Sequence, residues 1–216
     1  MNLPNKLSIL RIILVPIMMF FYLATFLDPW GKIVAGVIFI IAAITDRLDG
    51  QIARKTGQIT DLGKLLDPIA DRLLYNCGLL LVVADGTIPV PYGIIGLAIL
   101  LFRDFIIDGI RQVAASRGIV VAAAWSGKIK AILHYTHIPM FIFLAGTKFF
   151  SGEFWAIFNQ VLFIIALVVF VAATIVTIWS IIDYYVRNKE VFVENKVEPK
   201  EDKKTGTDEE KWKQIL

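Results

Sequence analysis

Apolar runs of about 20 residues recur along almost the whole chain, and that spacing constrains the fold more than any other feature. A helix rising 1.5 Å per residue needs about 20 residues to cross a hydrocarbon core of about 30 Å. Of the 216 residues, 57% are hydrophobic and the mean hydropathy is +0.69, too apolar for a soluble domain of this size. The expected architecture is therefore an all-α integral membrane protein of six transmembrane helices. The runs place them at about residues 8–27, 32–54, 63–83, 92–116, 128–150 and 154–185.

Turn chemistry supports these divisions. Asp28-Pro29-Trp30-Gly31 and Asp85-Gly86-Thr87 with Pro89 and Pro91 punctuate the chain, and Trp30 suits a membrane interface. The opening run is too long for a signal peptide and lacks a small-residue cleavage site. Residues 1–7 read as a short interfacial segment, with Asn5 or Ser8 as a helix cap. Residues 8–187 form the helical domain, and 188–216 a charged, solvated tail with Trp212, Ile215 and Leu216 at its end. Cys77, the one cysteine, excludes an intrachain disulfide and reads as packing. Six helices bring both termini to one side. Lys6, Arg11, Arg54, Lys55, Arg117, Lys128, Lys130, Arg187 and Lys189 fall on that side, which the positive-inside rule assigns to the cytoplasm, and the bundle is expected to open a polar cavity toward it.

Against this background, Asp46 to Arg72 stands out, DRLDGQIARKTGQITDLGKLLDPIADR. Asp46 and Asp49 are three apart and Asp67 and Asp71 four apart, so each pair shares a helix face and two facing helices would gather all four. Carboxylates at membrane depth cost about 2.5 to 3.5 kcal/mol each on insertion scales and repel one another. A positive charge must offset them. Oxygen-only donors, with no Cys or His in the stretch, suit two hard divalent cations, Mg2+ or Mn2+. Gly50, Ala53 and Gly63 leave bare helix surface beside the acids, and Arg54 suits a phosphate oxygen. Pro68, directly after Asp67, is expected to loosen the backbone there.

These residues match, without a gap, the signature DxxDGxxAR, eight residues, GxxxDxxxD, and on them the chain resembles the CDP-alcohol phosphatidyltransferases. The resemblance implies a membrane enzyme in which an alcohol displaces CMP from a CDP-linked lipid. It implies that Asp46, Asp49, Asp67 and Asp71 hold the metals and that Asp71 is also the general base. Asp49, Gly50, Ala53, Arg54 and Gly63 would line the CDP side, and the enzyme would be a homodimer. The opening LPNKLSILR, the Arg103-Asp104 pair and SGKIK at 126–130 extend the likeness to the branch of the family that makes phosphatidylglycerophosphate. That branch implies CDP-diacylglycerol and sn-glycerol 3-phosphate as substrates.

The acceptor site must lie among the remaining intramembrane charges. Arg103, Arg111, Lys128 and Lys130 are candidates for holding an acceptor phosphate, although Asp108, three residues before Arg111, offers that arginine a local partner. His134 and His137 are three apart, a metal-compatible spacing, but no Glu or Cys accompanies them in the segment, so they read as packing or hydrogen bonding. Another phosphorylated alcohol such as an inositol phosphate is the alternative acceptor. A divalent-cation transporter, the reading from a different class, predicts acids spread through the membrane depth, whereas these four gather toward one face. Nothing in the chain suggests nucleic acid as a partner.

Overall fold

The computed structural model describes the backbone of residues 3–56, 61–117 and 125–189, and their side chains except those of 3, 4, 47–56, 61 and 64. Six α-helices fill it: α1 (Leu3–Leu23), α2 (Trp30–Thr56), α3 (Asp61–Ala84), α4 (Val90–Ser116), α5 (Trp125–Thr147) and α6 (Glu153–Arg187). A short 3-10 turn, Thr25–Leu27, joins α1 to α2. No strand occurs among the described residues. Four of the helices, α1, α4, α5 and α6, are long and apolar enough to cross a membrane by length and composition alone. Among the described residues of α3, Asp67, Asp71 and Arg72 dilute the apolar run.

The helix ends depart from the sequence expectation by a few residues. The first helix begins at Leu3, so Ser8 stands inside it and turns its hydroxyl to a side chain of another helix rather than capping. The fifth begins at Trp125, three residues early. Pro68 lies within α3, which continues unbroken through it. A proline there removes one backbone donor, and neighbouring helices compensate for such losses in membrane proteins. The tail from residue 190 onward lies outside the described residues.

α5 is the hub, packing on α2, α3 and α6, while α1 lies against α2 and α3, and α4 bridges α3 and α6. The first half of α5 buries Ser126, Lys130, His134 and His137 on one face and leaves Trp125, Lys128, Ile132 and Thr136 exposed on the other, while its second half, from His137 onward, is buried nearly all round by residues such as Ile138, Phe141 and Ile142. The polar groups of the buried face are kept where partners from other helices meet them. Outward-facing Ile, Val and Phe side chains of α4 and α6 are exposed along their length, as a lipid-facing surface demands.

Close crossings depend on glycine. A Cβ at Gly78 of α3 would stand 2.8 Å from Ile138 Cγ2 and 2.9 Å from the Phe39 ring, and both of those side chains are fully buried. Neither has room to retreat. Gly78→Ala is expected to cost about 1–3 kcal/mol, the usual range for overpacking, read as a lower melting temperature of the purified protein in detergent. An unchanged melting temperature would show that the α2–α3–α5 crossing is looser than described.

Ion pairs and one hydrogen bond fix which helix ends lie together. The first halves of α1, α3 and α5 meet the last halves of α2, α4 and α6 through Arg11–Asp46, Arg11–Asp71, Lys130–Asp104 and Ser126–Asp183. At the opposite end, Lys32 lies 3.3 Å from Asp85 and 3.9 Å from Asp28, and Lys148 3.6 Å from Asp85. Burial pushes the Asp85 carboxyl up, but hydrogen bonds from the Thr87 hydroxyl and backbone N–H outweigh it and hold the group below its usual range. Two acids thus meet at this end as well, neutralised by lysines.

Candidate active site

α2 and α3 bring the motif's acids to one end of the bundle, and α1 supplies what offsets them. Arg11 has no exposed side-chain surface, and its Nη1 donates to Asp71 Oδ1 at 2.6 Å while lying 2.8 Å from Asp46 Oδ1. One guanidinium nitrogen therefore marks the point where carboxylates from two helices converge. One turn earlier on α1, the Ser8 hydroxyl donates to Asp67 Oδ1 at 2.5 Å. Ser8 and Arg11 are three apart, so they share the α1 face that looks onto the acids. The Tyr135 hydroxyl of α5 donates to Asp71 Oδ1 at 3.3 Å.

Of the residues expected here, Asp46, Asp67 and Asp71 are brought together by Arg11 and Ser8, and Gly63 is buried near the start of α3. Asp49, Gly50, Ala53 and Arg54 continue the helical backbone of α2, and their side chains lie outside the described residues. The donor set fits a hard divalent cation: it is carboxylate oxygen without thiol or imidazole, and two of its members already point at one positive charge. No three acid, His or Cys side chains among the described residues come close enough to form a complete metal cluster.

A second polar cluster lies beside the first, across α3. Asp104 of α4 is its centre and accepts from three helices. Lys130 Nζ of α5 donates to Oδ1 at 2.7 Å, Arg103 Nη1 to the same oxygen at 3.0 Å, and the Tyr75 hydroxyl of α3 to Oδ2 at 2.5 Å. Lys130 also lies over the Tyr75 ring, 4.6 Å from its centroid. Arg103 Nε donates to Ser180 of α6 at 3.0 Å. Burying a carboxylate among two cations and a hydroxyl satisfies its lone pairs, which is the condition under which buried ions are tolerated.

The four acceptor candidates thus divide. Arg103 and Lys130 share Asp104, whereas Lys128 is exposed beside Trp125, and Arg111, also exposed, donates from Nε to the Tyr184 hydroxyl at 3.1 Å. Asp108 does not neutralise Arg111, as the three-residue spacing suggested. It takes both Nη groups of Arg72 on α3 instead. A guanidinium fork fits a carboxylate bidentately, a geometry that Arg111's bond to Tyr184 leaves to Arg72.

His134 and His137 are both buried. The His137 Nδ1–H donates to the Leu133 carbonyl at 2.9 Å. Thr177 spends its hydroxyl hydrogen on the Ala173 carbonyl, so His134 Nε2, 3.4 Å from Thr177 Oγ1, is the donor there. Both rings act as hydrogen-bonding and packing groups, and His134 stacks on Tyr75 at 5.9 Å.

Tyr75 and Tyr135 have no local signature in the sequence, and nothing local told which partners Ser8 and Arg72 would meet, although both stand in stretches singled out there. Arg11 is a lone arginine one helical turn from Ser8 in an apolar run, which is costly unless a buried partner receives it.

Comparison with known proteins identifies the family. Residues 1–179 match the family model described as CDP-alcohol phosphatidyltransferase. A Bacillus subtilis protein named CDP-diacylglycerol–glycerol-3-phosphate 3-phosphatidyltransferase is 40% identical over 141 residues, 60% of this chain and 70% of the relative. The Haemophilus influenzae protein of the same name is 33% identical over 191 residues, 85% of this chain and 91% of the relative. A Mycobacterium tuberculosis protein named probable phosphatidylglycerophosphate synthase is 33% identical over 190 residues, 86% of this chain and 81% of the relative. With its matched length, its helical architecture and its clustered acids, the chain belongs to the CDP-alcohol phosphatidyltransferase family.

Proposed function

We propose that this protein transfers the phosphatidyl group of CDP-diacylglycerol to sn-glycerol 3-phosphate, giving phosphatidylglycerophosphate and CMP. The observation that carries the proposal is the double use of α3. Asp71 sits in the acidic cluster, and one turn on Tyr75 sits in the basic one, with Tyr135 donating to Asp71 and meeting the Tyr75 ring edge-on at 6.4 Å. A phosphorylated alcohol held by the basic cluster would therefore have its hydroxyl end beside the acids. The names of the relatives support glycerol 3-phosphate as that alcohol.

In the reaction, the acceptor hydroxyl oxygen attacks the phosphorus that bears the lipid. A new P–O bond forms, the bond to CMP breaks, and the hydroxyl proton passes to a base. Asp71 is that base, with Tyr135 orienting the carboxylate through its hydroxyl. Arg11 holds Asp46 and Asp71 in register from α1, and Ser8 does the same for Asp67. Asp46, Asp49, Asp67 and Asp71 would hold two divalent cations, which when bound neutralise the diphosphate and the departing CMP. Gly50, Ala53, Arg54 and Gly63, with Asp49, would line the CDP side.

Lys130 and Arg103 bind the acceptor phosphate, with Arg111 and Lys128 contributing field from the rim. Lys130→Met is expected to raise the KM for glycerol 3-phosphate about 10- to 100-fold, the loss of one charge-assisted hydrogen bond, without raising the KM for CDP-diacylglycerol. Equal changes in both constants would remove Lys130 from the acceptor site. The helices span a cell membrane with both termini and the site on the cytoplasmic side, and the protein works as a homodimer.

The test of the reaction is CMP release by purified protein with CDP-diacylglycerol, Mg2+ and a panel of alcohols. Release that requires glycerol 3-phosphate supports the proposal. Release with an inositol phosphate instead keeps the reaction type and overturns the acceptor.

A further inference from the structure

Asp108 has one described ion-pair partner, and that partner is held in the geometry an incoming phosphate would want. Arg72 Nη1 donates to Asp108 Oδ2 and Nη2 to Oδ1, the latter at 2.5 Å, so the whole fork faces one carboxylate. Phosphate oxygens occupy an arginine fork in the same bidentate manner. Arg72 follows Asp71 in the chain and precedes Tyr75 by one turn, so it stands where the acidic and basic clusters adjoin.

The pair also differs from its neighbour in burial. Asp104 has 7% of its side chain exposed and is tied to α3 and α5 by Tyr75 and Lys130. Asp108 and Arg72 are 25% and 32% exposed. The α3–α4 contact is thus already fastened by the buried Tyr75–Asp104 bond, and a part-exposed ion pair adds little to stability. A pair so placed is exchangeable: a dianion reaching Arg72 would gain that fork and lie near Arg103 and Lys130 as well.

We propose that Asp108 is a built-in competitor for the acceptor's phosphate, holding the Arg72 fork until a phosphorylated alcohol displaces it. Arg72 is then an anion-binding residue of the acceptor site, and Asp108 sets how tightly the acceptor is held. This rests on the reaction proposed above. A binding group occupied most of the time by an internal ligand lowers apparent affinity by the fraction left free. Removing the competitor tightens binding, whereas removing a structural staple would not.

The experiment is steady-state CMP release by the full-length protein in detergent, varying sn-glycerol 3-phosphate at saturating CDP-diacylglycerol and then the reverse. Asp108→Asn is expected to lower the acceptor KM about fivefold, the equivalent of one exposed ion pair, and to leave the KM for CDP-diacylglycerol unchanged. Arg72→Lys, which keeps the charge but loses the fork, is expected to raise the acceptor KM about tenfold, and adding Asp108→Asn to it should no longer give the fivefold fall. An acceptor KM that rises or stays constant in Asp108→Asn overturns the inference, as does an unaltered one in Arg72→Lys, which decides the matter if Asp108→Asn does not fold. Wild-type turnover of glycerol 3-phosphate with no change in either variant leaves the reaction standing and removes the competitor. A wild-type protein that uses no phosphorylated acceptor overturns both.

Discussion

Asp71→Asn is expected to reduce glycerol 3-phosphate-dependent CMP release about 1,000-fold, within the 100- to 10,000-fold range for loss of a positioned general base. The substitution keeps the shape of the side chain and an oxygen for Tyr135 to donate to. It removes the electron pair that accepts the hydroxyl proton and the charge that faces Arg11. The KM for CDP-diacylglycerol should change far less than kcat, because loss of a group used in the transition state lowers turnover rather than ground-state binding. Single-turnover CMP formation measures this directly. A variant retaining a tenth or more of wild-type turnover would move the base elsewhere, with Asp67, which accepts from Ser8, the next acid to test.

The largest effect on stability is expected at Arg11. Its guanidinium is the described cation on which Asp46 and Asp71 converge, and its side chain is completely buried. Arg11→Leu fills similar space but leaves two carboxylates facing each other without that charge. Removing one partner of a buried ion pair costs about 3–5 kcal/mol, so the melting temperature in detergent without divalent cations should fall by on the order of 10 °C. Added Mg2+ should restore the variant by more than it stabilises the wild type, because a bound cation replaces the missing positive charge. Equal shifts on adding Mg2+ would mean that these acids do not share a cation site. Nano-scale fluorimetry on Trp and Tyr emission, with and without Mg2+, separates the two outcomes.

Helical spacing pairs Asp46 with Asp49 and Asp67 with Asp71, and the long apolar runs require helices; the structure brings Asp46 and Asp71 onto Arg11, while the side chain of Asp49 lies outside the described residues. The bundle's six elements follow from the same runs. The contribution of α1 was harder to see. Ser8 and Arg11 meet their partners across 59 and 60 residues of chain, and periodicity within one helix carries no information on which face another helix will present. The same reason misdirected Asp108. The i,i+3 rule offered Arg111, but the packing of α3 on α4 presents Arg72's fork, and Tyr184 of α6 receives Arg111. Asp104 is a further case: read beside Arg103 it is half of a local pair, and only the arrival of α3 and α5 makes it the centre of a three-helix cluster. The acceptor candidates Lys128 and Lys130 are two apart, so on one helix they point to different sides. Lys130 enters the bundle and Lys128 remains at Trp125.

Phosphatidyl transfer is read by following the label of the acceptor into lipid. Purified protein is incubated with CDP-diacylglycerol, Mg2+ and radiolabelled sn-glycerol 3-phosphate, and label is counted in the chloroform-soluble fraction alongside released CMP. The prediction is one labelled lipid per CMP, abolished by chelating the divalent cation and by Asp71→Asn. CMP appearing without labelled lipid, or lipid labelling unaffected by chelation, would contradict it.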